Sequence, residues 1–323
     1  MQAVRVHEPG PPSALRHETI PDPSAGPGEV VVELRAAAVN RRDTLVRRGV
    51  YEFPLPLVPG SDGAGVVRGT GEEVVILPGL RWGEREDAPG EGFVLLGGPE
   101  EGTYAELVKV PAENVFRKPA RLSWTEAAAF PVAGLTAYRA LFTRGCVGAG
   151  DTVLVLGAGS GVTTFAVSLA SQAGARVFVT SSSAEKIERS LELGAEAGVD
   201  YREDDWPDAV RELAGGGVDV VLDSVGSTWP DSLRCLRPGG RVVAFGATGA
   251  ETAELVVRPF YLTQLSLLGS TLGSPREFER VLAALNEGTW SPVIDSVRPL
   301  SEAAAAHERM EAGEHFGKLV LEI

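Results

Sequence analysis

The sequence predicts an α/β protein, a doubly wound parallel sheet joined to a smaller, partly open β-barrel. Three observations predict it. Apolar strand-like runs alternate with helix-like runs through residues 152–287. A glycine-rich turn, GAGSG, stands between the first of those strands and the helix after it. Short alternating runs rich in Val, Pro and Gly fill residues 1–118, and strand-like segments return after 288. Near-continuous apolar strands with intervening helices suit a sheet covered on both faces, and short strands joined by tight turns suit a barrel.

Taken in order, the first segment offers strands such as Glu29 to Arg35 and Gly63 to Arg68. At Trp124 the texture changes: Ser123 is placed to cap a helix that begins TEAAAF, and Pro131 interrupts it before a second helical run through Ala137 to Leu141. Strands are then expected at Thr152 to Leu156, Arg176 to Thr180, Gly198 to Asp200, Val218 to Asp223, Arg241 to Phe245 and Leu265 to Thr271. Helices are expected at Val162 to Gln172, Ala184 to Leu193, Asp205 to Ala214 and Pro275 to Asn286. The tail, with strands at Val293 to Val297 and Lys318 to Ile323 around a helix at Ser301 to Glu311, is too short to form a domain. We therefore assign 1–118 and 288–323 to one domain and 119–287 to the other, which is inserted into it.

The turn carries the first functional reading. Gly157, Gly159 and Gly161 let the backbone approach a ligand closely, and Ser160 and Val162 flank the helix start, whose free N–H groups suit a pyrophosphate. A nicotinamide nucleotide without a 2′-phosphate calls for Asp or Glu about twenty residues on. The chain has Thr180, Ser181, Ser182 and Ser183 there, followed by Lys186. Hydroxyls donate to a 2′-phosphate and the lysine neutralises part of its charge, so the expected cofactor is NADPH. Val162 or Thr163, depending on register, takes the place of the usual third glycine. Phe245 and Gly246, and likewise Ser270 and Thr271, follow strands at their carboxyl ends, where open α/β sheets bind ligands.

Composition narrows the class. A formal charge of −14 over 323 residues argues against a nucleic-acid partner. The two cysteines, Cys146 and Cys235, have no metal-ligand spacing, and the chain opens without the basic-apolar-small succession of a leader. No apolar run is long enough to span a bilayer. A reduced cytoplasmic protein with no membrane partner is the expectation.

Eight segments in fixed order then resemble one family, the medium-chain dehydrogenase/reductase superfamily in its zinc-free quinone oxidoreductase branch. They are NRRDTLVRRG from Asn40, VPGSDGAGVV from Val58, GTYAE from Gly102, AGLTAY from Ala133, the glycine turn, DSVG from Asp223, RPGGR from Arg237, and Gly317-Lys318. The resemblance covers essentially the whole chain. It implies a GroES-like catalytic domain built from both chain ends, a Rossmann domain, hydride transfer in the cleft between them, and a homodimer paired through Leu265 to Thr271. It also implies that Tyr201 lies near the adenosine phosphate with Lys186, while Lys318 is placed either to hold the cofactor or to pair with an acid.

Zinc-dependent relatives carry Cys where Asn40 stands, His-Glu where Ser61-Asp62 stands, and a further ligand near Pro131. The four-cysteine lobe of those relatives falls near Leu80 to Leu96, which holds no cysteine. Zinc takes thiolate and imidazole ligands in tetrahedral sets, so no metal is expected. Without a Lewis acid the substrate must already be activated, which suits a quinone or an α,β-unsaturated carbonyl. The candidate catalytic residues are Asn40, which replaces a metal ligand, Tyr51 as pocket wall or proton donor, and Thr136. An enoyl thioester or alkenal would fit the same pattern, and a chain retained only to bind the cofactor would bind NADPH without turnover. Asp43 and Asp62 are read as internal ion pairs or turn bonds, and the four histidines as surface or structural.

Overall fold

The computed structural model describes residues 1–288 and 290–323. The chain divides into two units, Met1–Leu135 with Gly273–Ile323, and Thr136–Leu272.

The first unit is organised on the long strand Glu29–Val39. It pairs antiparallel with Asp62–Val67, with Leu107–Pro111 and with the C-terminal strand Lys318–Glu322. The sheet then continues through Glu73–Ile76 to Val115–Arg117 on one side and to Ile294–Pro299 on the other. The C-terminal strand thus joins the sheet of the first segment, while Gln2–Val6 pairs with Leu15–Thr19 in a small sheet of its own. Register decides which residues share an end of it: Leu319 lies opposite Val39, and Ala38 opposite Asp62. Lys318, Asn40 and Asp62 consequently stand at one end of three adjacent strands. Buried Val32, Leu34, Val67, Val74, Ile76 and Val108 fill one core of this unit. Tyr104, Ala303, Ala306 and Leu319 belong to another.

The second unit is a six-stranded parallel sheet in the order Ala197–Asp200, Arg176–Ser181, Thr152–Val155, Val218–Asp223, Leu236–Ala244, Ser266–Gly269. Numbered along the chain this is 3-2-1-4-5-6, the doubly wound order whose direction reverses beside the first strand. All six expected strands are present. Two short helices, Trp229–Cys235 and Val257–Leu262, escape a reading of the sequence because each has too few turns to show a period.

The units divide differently from the expected 119–287. Residues 119–135 and 273–287 belong to the first unit. Phe278 on the helix Pro275–Glu287 stacks on Phe130 at 5.6 Å and meets Phe116 edge-on at 5.1 Å. Arg121 donates to the carbonyls of Leu285 and Trp290. A helix reads as amphipathic whichever core it covers, so alternation alone does not show the change of partner.

Candidate functional site

In the second unit the strand Thr152–Val155 ends in the glycine turn. Gly157 and Gly159 have φ of +73° and +101°, backbone that favours glycine. A Cβ placed on Gly157 would meet nothing within 4 Å, so the turn leaves open space where a phosphate group would lie. Ser160 caps the helix Gly161–Gln172 by accepting from the Thr163 N–H. Thr163, one of the two residues that can take the third-glycine place, is buried and its hydroxyl donates to the carbonyls of Gly157 and Ser160. Gly161 and Val162 form the first turn of this helix, half-buried.

At the end of the next strand, Ser181 is buried and accepts from the Ser183 N–H. Ser182 and Tyr201 are brought together, the Tyr201 hydroxyl 3.0 Å from Ser182 Oγ. Lys186 is half-buried in the first turn of the helix Ala184–Glu192, which Ser183 caps. Phe245 is pinned by its N–H to the Asp223 carbonyl, with Gly246 exposed beside it. Ser270 Oγ is a buried hydroxyl without a partner among the described residues, and Thr271 beside it is exposed. An open turn, hydroxyls at the strand end and a lysine on the next helix fit a nicotinamide dinucleotide. Thr136 is buried on the helix Pro131–Tyr138, on which the chain passes between units.

The first unit holds a buried polar cluster that sequence reasoning finds only in pieces. Asn40 caps the helix Arg41–Arg47, a helix not anticipated, and its backbone N–H donates to Asp43 Oδ2 at 2.8 Å. Its amide donates to Asp62 Oδ2 at 2.9 Å, and its Oδ1 accepts from Lys318 Nζ at 2.7 Å. Lys318 also reaches Asp62 Oδ2 at 2.8 Å, and Asp62 Oδ1 accepts from the Val132 N–H at 2.7 Å. Lys318 and Asp62 are 2% and 0% exposed, and Asn40 8%. Within this unit the Lys318 ammonium pairs with an acid, the second of its two expected roles, and strand register makes that acid Asp62, with Asn40 beside it.

Beyond Asn40 the cluster continues inward. The Tyr104 hydroxyl lies 3.1 Å from Asp43 Oδ2 and 3.1 Å from His307 Nε2. Burial pushes the Asp43 carboxyl up to about 6, offset in part by the Asn40 N–H, and raises the Tyr104 phenol. Burial, aided by Arg47, holds the His307 imidazole down at about 3. GTYAE is the sequence signal for Tyr104, a residue that the motif alone does not mark as part of a site. Tyr51 is 44% exposed and lines a cavity of about 180 Å³ with Val46, Glu52, Phe53 and Leu55. The Arg42 guanidinium lies 5.8 Å from the Tyr51 ring and 5.6 Å from that of Phe53.

Against this geometry the comparisons are consistent. Residues 26–120 match the alcohol dehydrogenase GroES-like domain, and 161–287 match the family described as zinc-binding dehydrogenase. Human quinone oxidoreductase is 33% identical over 99% of this chain and 97% of its own. A zinc-type alcohol dehydrogenase-like protein of Schizosaccharomyces pombe is 35% identical over 92% and 91%. A solved NAD-dependent alcohol dehydrogenase superposes with a TM-score of 0.93 at 39% identity over all of both chains. A crotonyl-CoA carboxylase/reductase in complex with NADP superposes at 0.90, with 27% identity over 100% of this chain and 95% of its own. The chain belongs to the medium-chain dehydrogenase/reductase superfamily. It is an NAD(P)-dependent oxidoreductase of that superfamily, with a GroES-like domain and a Rossmann-type domain.

The family description invokes zinc, and the residues do not fit it. At the places of the ligands stand an amide, a hydroxyl that donates to the Leu96 carbonyl at 2.7 Å, and a carboxylate paired with an ammonium. Among the described residues no group of three or more His, Cys, Asp or Glu is placed to hold a metal. None of their helices is long and apolar enough to cross a membrane.

Proposed function

We propose that this chain is an NADPH-dependent reductase of quinones or α,β-unsaturated carbonyls, acting by hydride transfer without a metal. The observation that carries the reading is the Asn40–Asp62–Lys318 cluster, which stands where zinc relatives keep their ligands and has no thiolate or imidazole to offer. With no Lewis acid, the charge arriving with the hydride must be spread by the substrate itself, and a conjugated carbonyl does so. NADPH supplies the hydride. Gly157, Gly159 and Gly161 seat its pyrophosphate, while Ser181, Ser182, Lys186 and Tyr201 hold its 2′-phosphate. Phe245, Gly246, Ser270 and Thr271 line the nicotinamide, and Tyr51 walls the acceptor pocket with Phe53.

Relatives differ in nucleotide, one being named NAD-dependent and another solved with NADP. The choice is assigned on residues 180–183, where no acid takes the place that would repel a 2′-phosphate, and on Lys186 in the helix that follows. Lys186→Ala is expected to weaken NADPH binding by about 1.5–3 kcal/mol, the range of a charge-assisted hydrogen bond, and to leave NADH binding unchanged. Fluorescence titration with both nucleotides checks it, and equal losses would refute the assignment. A panel of quinones, enones, alkenals and enoyl thioesters, followed by reduced-nicotinamide absorbance, tests the acceptor. Turnover confined to thioesters would move the reading toward the crotonyl-CoA type, and NADPH binding with no turnover would make it a binding protein.

The functional form is proposed to be a homodimer. The edge strand Ser266–Gly269 follows an apolar, exposed stretch in which Val256 is 72% and Leu262 65% exposed. An unpaired strand edge beside such a patch suits self-pairing across a two-fold axis.

A further inference from the structure

A second cavity of the first unit, of about 440 Å³, is lined by the run Pro9–Pro12, by Arg47 and Arg48, and by Glu311. Its lining shares only Pro9 with the cavity that Tyr51 lines. It forms where the helix Arg41–Arg47 ends, and the Gly10 N–H donates to the Arg47 carbonyl at 3.1 Å, which ties the proline run to that last turn. Pro9, Pro11 and Pro12 have no N–H to offer, so this wall presents ring carbons.

Arg47 stands out in that lining. It is 1% exposed, Nη2 donates to Glu311, and Nε and Nη1 have no partner among the described residues. A guanidinium has five N–H donors, and those two nitrogens carry three of them. A buried cation costs free energy unless it is paired and its donors are used. Glu311, with a quarter of its side chain exposed, supplies one oxygen. The charge of Arg47 is felt within the unit, where it adds to burial in holding the His307 imidazole down. Arg48, next along the chain, is exposed. Two cations thus face one anion here, in a chain whose formal charge is −14.

We propose that this cavity binds a small monocarboxylate with an apolar body. The carboxylate takes donors of Arg48 and Arg47, and the body lies on the prolines. Guanidinium groups match a planar carboxylate. One negative charge brings the lining to neutrality, whereas a phosphate dianion would overshoot it beside Glu311. The volume falls within the range of small-molecule sites and leaves room for more than the carboxylate. Nothing in this proposal rests on the reductase reading.

Calorimetric titration at pH 7, with NADP saturating, tests it with benzoate, benzyl alcohol and inorganic phosphate. Benzoate should bind once per chain. Benzyl alcohol keeps the ring without the charge and phosphate the charge without the ring, so each should bind at least about tenfold more weakly, the scale of one charge-assisted hydrogen bond. Arg47 is buried and its variant would confound folding with binding, so the exposed Arg48 and the partly exposed Glu311 carry the test. Arg48→Ala should weaken benzoate about tenfold. Glu311→Gln removes a like charge and should tighten it. Benzoate affinity unchanged in Arg48→Ala, weakened in Glu311→Gln, or below that of phosphate would overturn the proposal. In a crystal soaked with 4-bromobenzoate, the bromine should give an anomalous peak against Pro9–Pro12, and peaks only elsewhere would overturn it too.

Discussion

At the scale of single residues, the buried trio Asp43, Tyr104 and His307 makes the sharpest claim about pH. His307 is held at about 3 against an ordinary 6.5, so the folded chain refuses a proton that the unfolded chain accepts. Its contribution to stability is complete above the unfolded value and is lost as pH falls toward the folded one. Asp43 has the opposite sign: raised from 3.8 to about 6, its contribution is complete below 3.8 and is lost as pH rises through 6. The two therefore oppose one another between those values. His307→Gln should shrink the drop in thermal midpoint between about pH 7 and pH 4, and an unchanged drop in unfolding scans would count against it. Both groups read as structural in the sequence, but no local pattern could show them sharing a tyrosine, because Asp43 and His307 are separated by most of the chain.

At the scale of elements, the segment VPGSDGAGVV shows how a motif can be legible while its reason is not. Gly60 has φ +99°, and a Cβ there would lie 2.3 Å from the Tyr104 ring and 2.7 Å from Thr103 Oγ1. Gly69 has a similar φ of +94° and open space around it. Gly60→Ala should therefore destabilise by on the order of 3 kcal/mol, through clash and strain together, and Gly69→Ala by about 1 kcal/mol through strain alone. Urea midpoints measure both, and equal losses would mean that the clash relaxes. The nucleotide turn is the easier reading, since strand, glycines and helix are contiguous and their geometry is local. The helix Arg41–Arg47 escapes notice because its seven residues, directly after Asn40, read equally well as the end of the long strand.

At the scale of the whole molecule, the proposed dimer predicts that Val257→Asp/Leu262→Asp yields monomers while the wild type scatters light at twice the chain mass; a monomeric wild type would reject it. A charge of −14 remains compatible with self-association when the contact is an apolar patch and a strand edge. What the sequence by itself determined was everything set within a few residues: the parallel-sheet alternation, the glycine turn, the absence of an acid at 180–183 and the absence of soft metal ligands. Tertiary structure alone decided which unit the segments 119–135 and 273–287 join, and that the acid Lys318 pairs with is Asp62, with Asn40 as its second partner. The physical reason is register. A strand at the C-terminus fixes its neighbours through backbone hydrogen bonds to a strand nearly three hundred residues earlier, and no local propensity encodes which end of that strand its first lysine will reach.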